Sequence, residues 1–301
     1  MSDIVTGTSD PLEDGAPARG QAAGRLSARR KAVDRFLRNP RALGGLVFVV
    51  VLAVVAIFAD QIAPFDPATQ DISRRLQPPS SEHWLGTDDF GRDLLSRMIV
   101  GSRVSLVVGV LSVVLVLLIG VSVGLLAGYV RFWDGPLMRT VDIFMSIPDF
   151  MLVLLLVSLF GTGTYRIVFY IGISSWMATA RLVRGEVLKL RTTEFVLASE
   201  CAGARSTRIM RRDLLLNILD VVMVQATLTI SLVILLESAL SYLGLGAQPP
   251  TPSWGNMLSG GRNFMSDAWW YTTFPGLAIF ATVMSFNFIG DGIRDALDVR
   301  L

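Results

Sequence analysis

Residues 194–213 read EFVLASECAGARSTRIMRRD and carry arginines at 205, 208, 211 and 212. On a helix, Arg205, Arg208 and Arg212 fall near one face at i, i+3, i+7 spacing. Such a row is either a positive flank that holds the end of a membrane segment in the cytoplasm or part of a surface that docks another protein. A second charged stretch, TDDFGRDLLSR at 87–97, alternates acids with arginines. Asp88, Asp89, Arg92 and Asp93 there are candidates for an external docking face; a self-contained salt-bridged fold is the alternative. Glu237 lies inside the apolar run 217–243. An ionisable group in such a run is costly and faces a bundle interior or a water-filled path. Glu237 is therefore either a pore or gate residue or a structural carboxylate hydrogen-bonded to a neighbour near the outer end.

Catalytic chemistry has little to work with. One cysteine, Cys201, and one histidine, His83, cannot build a disulfide framework, a Cys/His metal cluster or a cysteine–histidine dyad. Cys201 reads as a small helix residue and His83 as a surface loop residue. There is no G-x-S-x-G, no H-E-x-x-H and no aspartate pair deep in facing spans, so no catalytic residue and no metal site is expected. The chain also lacks G-x-x-x-x-G-K-[ST], which closes the P-loop route to ATP hydrolysis and leaves any such energy to another polypeptide. A net charge of +2 gives no reason to expect nucleic acid as a partner. Asp142 and Asp149 flank the cytoplasmic start of a span, where the helix dipole favours anions. Asp291, Arg294 and Asp295 read as a local ion-pair set.

The elements that must position these residues are set by hydropathy. A chain 52% hydrophobic, with a mean hydropathy of +0.55, is an integral membrane protein. A crossing takes about 20 apolar residues. Residues 42–63, 104–130, 141–163, 165–183, 217–243 and 273–293 supply six candidates. Pro148 marks a kink in the third, and Gly172, Ser174 and Ser175 suit close packing in the fourth. The expected fold is all-α, a polytopic membrane protein with six transmembrane helices over 42–301. Residues 1–24 read as a disordered tail, and 25–41 as a basic helix lying on an anionic membrane surface, which makes lipid an expected partner. Eight Lys and Arg precede the first span and eight lie in 181–212, whereas in 64–103 six acids outnumber five arginines. The positive-inside rule then places both termini and the 184–216 connection in the cytoplasm, with loops 64–103 and 244–272 outside. Trp84, Trp254, Trp269, Trp270 and Tyr271 fall near external ends, where aromatic rings prefer the interface. The 184–216 connection is far longer than compact bundles use between neighbours, which favours docking for its arginines.

The run GEVLKLRTTEFVLASECAGARSTRIMRRDLLLN (185–217) resembles the cytoplasmic EAA loop of ABC importer permeases. Gly203 sits at that family's glycine, Ala198 and Ser199 at its two alanines, and Leu215 at its leucine. Leu197 replaces the glutamate, Asp213 the isoleucine and Leu216 the proline; Glu194 or Glu200 could stand in for the glutamate. Three further stretches are similar to the dipeptide/oligopeptide/nickel branch: HWLGTDDFGRDLLSRMIVGSRVSL (83–106), LLESALSYLGLGAQPPTPSWGNML (235–258) and GDGIRDALDVRL (290–301), with Val299 where proline is common. The resemblance runs over about residues 30–301 and is closest to the C-type subunit.

This resemblance implies a type I ABC importer permease. A second homologous permease subunit would complete the pore, and an external substrate-binding protein would deliver cargo. Two cytosolic P-loop ATPase subunits would bind ATP and Mg, leaving no cofactor and no enzyme activity on this chain. The 184–216 loop would form a coupling helix docked on an ATPase through Leu197, Ala198, Ser199, Glu200, Gly203, Ala204, Arg205 and Arg208. Gly203 would either let the partner approach closely or permit a turn that a bulky residue refuses. The pore reading of Glu237 becomes contact with peptide amines. The implied cargo is dipeptides or oligopeptides, with nickel or another small solute as the alternative, in the bacterial cytoplasmic membrane. An ATP-independent channel or secondary transporter is more remote, because neither needs an EAA-like loop.

Overall fold

The computed structural model describes residues 33–297. The expected tail at 1–24 and most of the expected basic helix, 25–32, lie outside the described residues. Residues 33–38 are helical, and Phe36 rests against Gly292 near the other end of the chain.

Helix α1 (Pro40–Ile57) starts where Asn39 accepts from the Arg41 and Ala42 amides and Pro40 presets the first turn. It stops short of the expected 42–63 span, and the short α2 (Ala59–Ile62) completes it. Helix α3 (Leu94–Tyr129) has 36 residues, about 54 Å at 1.5 Å per residue, more than the roughly 30 Å of hydrocarbon requires. Its first turns belong to the external segment and are capped by Asp93, which accepts from the Ser96 amide at 2.8 Å.

The third and fourth expected spans are each broken. Residues 141–163 were expected to kink at Pro148; instead α4 (Arg131–Met145) and α5 (Asp149–Phe160) meet at 82°. Proline has no amide hydrogen and restrains the residue before it, so the ladder stops at Ile147. Residues 165–183 divide at Ser175 into α6 (Thr164–Ser174) and α7 (Trp176–Leu190). Below these lie α8 (Glu194–Cys201) and the single turn α9 (Ser206–Arg208). A π-helical segment, Ile209–Leu214, leads into α10 (Leu215–Tyr242). Helix α11 (Trp254–Gly261) and the long α12 (Trp270–Leu297) follow. Among the described residues four stretches are long and apolar enough to cross a membrane, and the bent α4–α5 pair makes a fifth. The shortfall from six is the α6–α7 pair, whose halves of 11 and 15 residues are each too short alone.

Helix α3 is the hub, and its contact with α7 is the most extensive between described helices. Gly120, Gly124 and Gly128 form one stripe along α3. A Cβ on Gly120 would meet Thr179, on Gly124 the Ala180 carbonyl and Val183, and on Gly128 Val187. This is small-residue packing of the kind that brings helices together in lipid. Gly172 likewise abuts Leu115. Helix α10 joins α12 where Gly290 faces Thr227 and the Ser231 hydroxyl donates to the Val283 carbonyl at 3.3 Å.

Gly124→Val would put its Cβ against the Ala180 carbonyl at 2.6 Å, so it should destabilise the fold by about 1–3 kcal/mol. Gly185→Val faces open space and should not. Thermal unfolding midpoints of the two variants in detergent check the pair.

Candidate functional site

Helix α8 hangs beneath the bundle on one apolar peg. Val196 is fully buried and packs in a cluster with Val183, Val187, Ile209, Leu214 and Ile218. Its neighbours Phe195 and Leu197 are 45% and 46% exposed. Ala198, Glu200 and Cys201 are also exposed, and Ser199 is half-buried. The outer face therefore offers apolar side chains that this chain does not cover. The Tyr129 hydroxyl, at the end of α3, donates to Glu200 Oε1 at 3.0 Å, so one of the two possible stand-ins for the absent family glutamate is tied to the bundle. Tyr129, Arg131, Arg191, Leu197 and Glu200 border a cleft of about 490 Å³ beside this helix.

Gly203 ends α8 in a Schellman turn. Its amide donates to the Glu200 carbonyl at 2.9 Å and the Ala204 amide to the Ser199 carbonyl at 3.0 Å, the paired bonds of that motif. Its φ is +74° and nothing lies within 4 Å of where a Cβ would stand. Within this chain the glycine serves the turn rather than a close approach. Ala204 is half-buried at the edge of the Val196 cluster. Arg205, Arg208, Arg211 and Arg212 are all exposed. The turn at 202–205 and the π segment replace the continuous helix expected through 194–213. Leu216, at the family's proline position, is exposed in an unbroken helix, and Asp213 is half-buried.

Glu237 is 1% exposed between α3 and α10. Ser241 donates to Oε1 at 2.7 Å and Ser105 to Oε2 at 3.4 Å. The structure places it in the packing of the bundle rather than on an open wall.

The external acids are mostly interior. Asp88 is fully buried; it accepts from the Phe90 and Arg92 amides at 2.8 and 3.0 Å, and from Arg92 Nε at 2.6 Å. Arg97 Nε, also buried, lies 3.3 Å from it. Asp93 is 3% exposed and, besides capping α3, pairs with His83 Nδ1 at 2.9 Å. Asp89 accepts from the Tyr271 hydroxyl at 2.9 Å, and Arg92 lies over the Phe90 ring. The four residues expected as a docking face are thus largely engaged in folding the external segment onto α3 and α12. His83, expected at the surface, is buried with them because its ring nitrogen meets Asp93. Trp254, Trp270 and Tyr271, expected at the interface, are core; Trp84 and Trp269 are exposed. At the exposed edge of this segment, Arg74 binds Glu82 and holds its carboxyl below the usual range, and the Ser73 hydroxyl does the same for Asp71.

Long apolar helices around one hub, with a short exposed helix at one end of them, define a polytopic membrane protein. Residues 117–301 match the family described as the binding-protein-dependent transport system inner membrane component, and residues 27–79 match the N-terminal TM domain of oligopeptide transport permease C. The chain belongs to this family of ABC importer permeases, and it is a multi-pass inner-membrane protein. It is 42% identical to the Di/tripeptide transport system permease protein DppC of Pseudomonas aeruginosa (strain UCBPP-PA14), over 95% of this chain and 97% of that protein. It is 47% identical to the Dipeptide transport system permease protein DppC of Escherichia coli (strain K12), over 88% and 91%. A structure of the MetNI methionine ABC transporter in inward-facing conformations shares the fold, with a TM-score of 0.54 at 19% identity, over 65% of this chain and 94% of that one. The family membership sets aside the ATP-independent channel or secondary transporter.

Asp88→Asn would leave buried Arg97 and half-buried Arg92 without the Asp88 carboxylate. It should cost about 3–5 kcal/mol, read as loss of folded protein in detergent, and Asp88→Glu should recover part of it.

Proposed function

We propose that this chain is one of two permease subunits of a peptide importer, pairing with a homologous permease to form the pore. Two cytosolic P-loop ATPases carry ATP and Mg, no cofactor resides on this chain, and an external binding protein delivers cargo. Peptides are favoured as cargo because the relatives aligned over nearly the whole length carry di- and tripeptide names; none of those names supports nickel. The single observation that carries the mechanism is the exposure of α8 around its buried Val196. A helix pegged to the bundle on one side and bare on the other suits force transfer from a partner. Leu197, Ala198, Ser199, Glu200 and Gly203 would meet the ATPase, and Ala204, Arg205 and Arg208 would border the contact. ATP-driven closure of the ATPases would favour one pore state over the other, a population shift. In this reading α6–α7 is one broken crossing, which brings the total to six and keeps both termini in the cytoplasm.

Purification in mild detergent should bring down a second permease and P-loop ATPases; a lone chain, with dissociation in detergent excluded, overturns the assembly. The Gly203 turn gives a sharper test. Asn tolerates a positive φ and a β-branched residue does not, so Gly203→Asn should retain most peptide uptake whereas Gly203→Val should lose about tenfold or more. Gly203→Asp should insert normally and abolish uptake through its added charge on the docking face. Equal loss in the Asn and Val variants would assign the glycine to close approach by the partner. Normal uptake in the Val and Asp variants would remove α8 as the coupling element.

A further inference from the structure

Three acids climb the α4–α5 pair, and α7 runs antiparallel beside them. Arg184 binds Asp134, with Nη2 2.8 Å from Oδ2, and Arg181 binds Asp142 at 2.5 Å. At the third step α7 has reached its first residue, and Asp149 faces the Ser175 side chain instead of an arginine. Among the described residues no cation pairs with Asp149.

The depth of this point follows from α3. Gly172 abuts Leu115 and Gly120 abuts Trp176 and Thr179, so Ser175 lies level with residues between 115 and 120. That is the middle of the apolar stretch 104–130. The breaks at 146–148 and at Ser175 therefore sit together at mid-membrane depth, and Asp149 is exposed there, between exposed Ile147 and Met151. A carboxylate at that depth is expensive against lipid and is retained where it meets water, a counter-ion or cargo. Broken helices at mid-depth also end in carbonyls with no following turn, which add acceptors for an incoming cation.

We infer that Asp149 lines the translocation path and binds the terminal ammonium of a peptide as it passes the middle of the membrane. This rests on the peptide-importer reading above. Its geometry differs from that of Glu237, which is buried and held by serines, because Asp149 is open and unmatched. The arginines that neutralise the two acids below it leave this position as the one acid of the row free to select a cation.

The test uses the whole importer in liposomes. In Asp149→Cys, a membrane-impermeant methanethiosulfonate should label the introduced thiol, located by mass mapping to separate it from exposed Cys201. Dialanine added with ATP and binding protein should slow that labelling. Asp149→Asn should lower dialanine uptake about tenfold and Asp149→Glu should restore most of it, with ATP hydrolysis little changed. A thiol that stays unreactive in every nucleotide state would place Asp149 against the second permease and overturn the inference. So would wild-type uptake in Asp149→Asn. If the unaltered importer moves no peptide at all, the peptide reading fails and this inference with it; wild-type import alongside an indifferent Asp149→Asn removes the inference alone.

Discussion

The rest of the molecule depends on the approach of α7 to α3. Lipid tails are as apolar as leucine, so two helices in a bilayer gain nothing from hiding apolar surface from each other; they gain from contact. The stripe Gly120, Gly124, Gly128 turns one side of α3 into a groove, and Thr179, Val183 and Val187 fill it. That seam fixes where α7 stands along the membrane normal. It thereby fixes Arg181 and Arg184, which hold α4, and it fixes the end of α7, from which α8 starts only a few residues later. A shift along the seam would move the broken α4–α5 pair and the coupling helix together.

The outer end of α3 is secured by different physics. Asp93 caps the helix, receives Ser96 and anchors His83, while Asp88 gathers two arginines and two amides. Both carboxylates are buried, and both accept several hydrogen bonds, the condition under which buried charge is tolerated. At its inner end the same helix reaches Glu200 through Tyr129. One helix of 36 residues thus joins the 64–93 segment to α8.

Much of this was legible in the residues. Apolar runs located the long helices, because hydropathy reports how much backbone must satisfy itself away from water. The EAA-like run located α8 and its glycine. What hydropathy does not see is the chain's dihedral path: an apolar run reads the same whether the helix continues, as in α10, or breaks, as at Ser146–Pro148 and Ser175. The external acids misled for a related reason. Alternating acids and arginines look solvated when their partners are unknown, and only the fold shows that Asp88 meets Arg92 and Arg97, that Asp93 meets the His83 ring, and that both acids are buried. The glycine stripe was readable, since G-x-x-x-G-x-x-x-G at 120–128 is the pattern of close helix contact. Of the small residues at 172–175, Gly172 packs closely while Ser175 marks a break.

The absent family proline acquires a meaning from the same geometry. A proline at 216 would remove an amide donor and interrupt the helix at the start of α10. With Leu216 there, the helix runs unbroken from Ser206 to Tyr242, and the irregularity moves upstream into the π turn Ile209–Leu214. A π turn widens the ladder without ending it. Ile209 and Leu214, both buried, bracket that turn and bind the same cluster as Val196. Helix α8 is therefore joined to α10 through packed side chains at both ends of the turn. Glu237, about six turns further along α10, is held to α3 by Ser105, so the helix joined to α8 is itself bound to the hub.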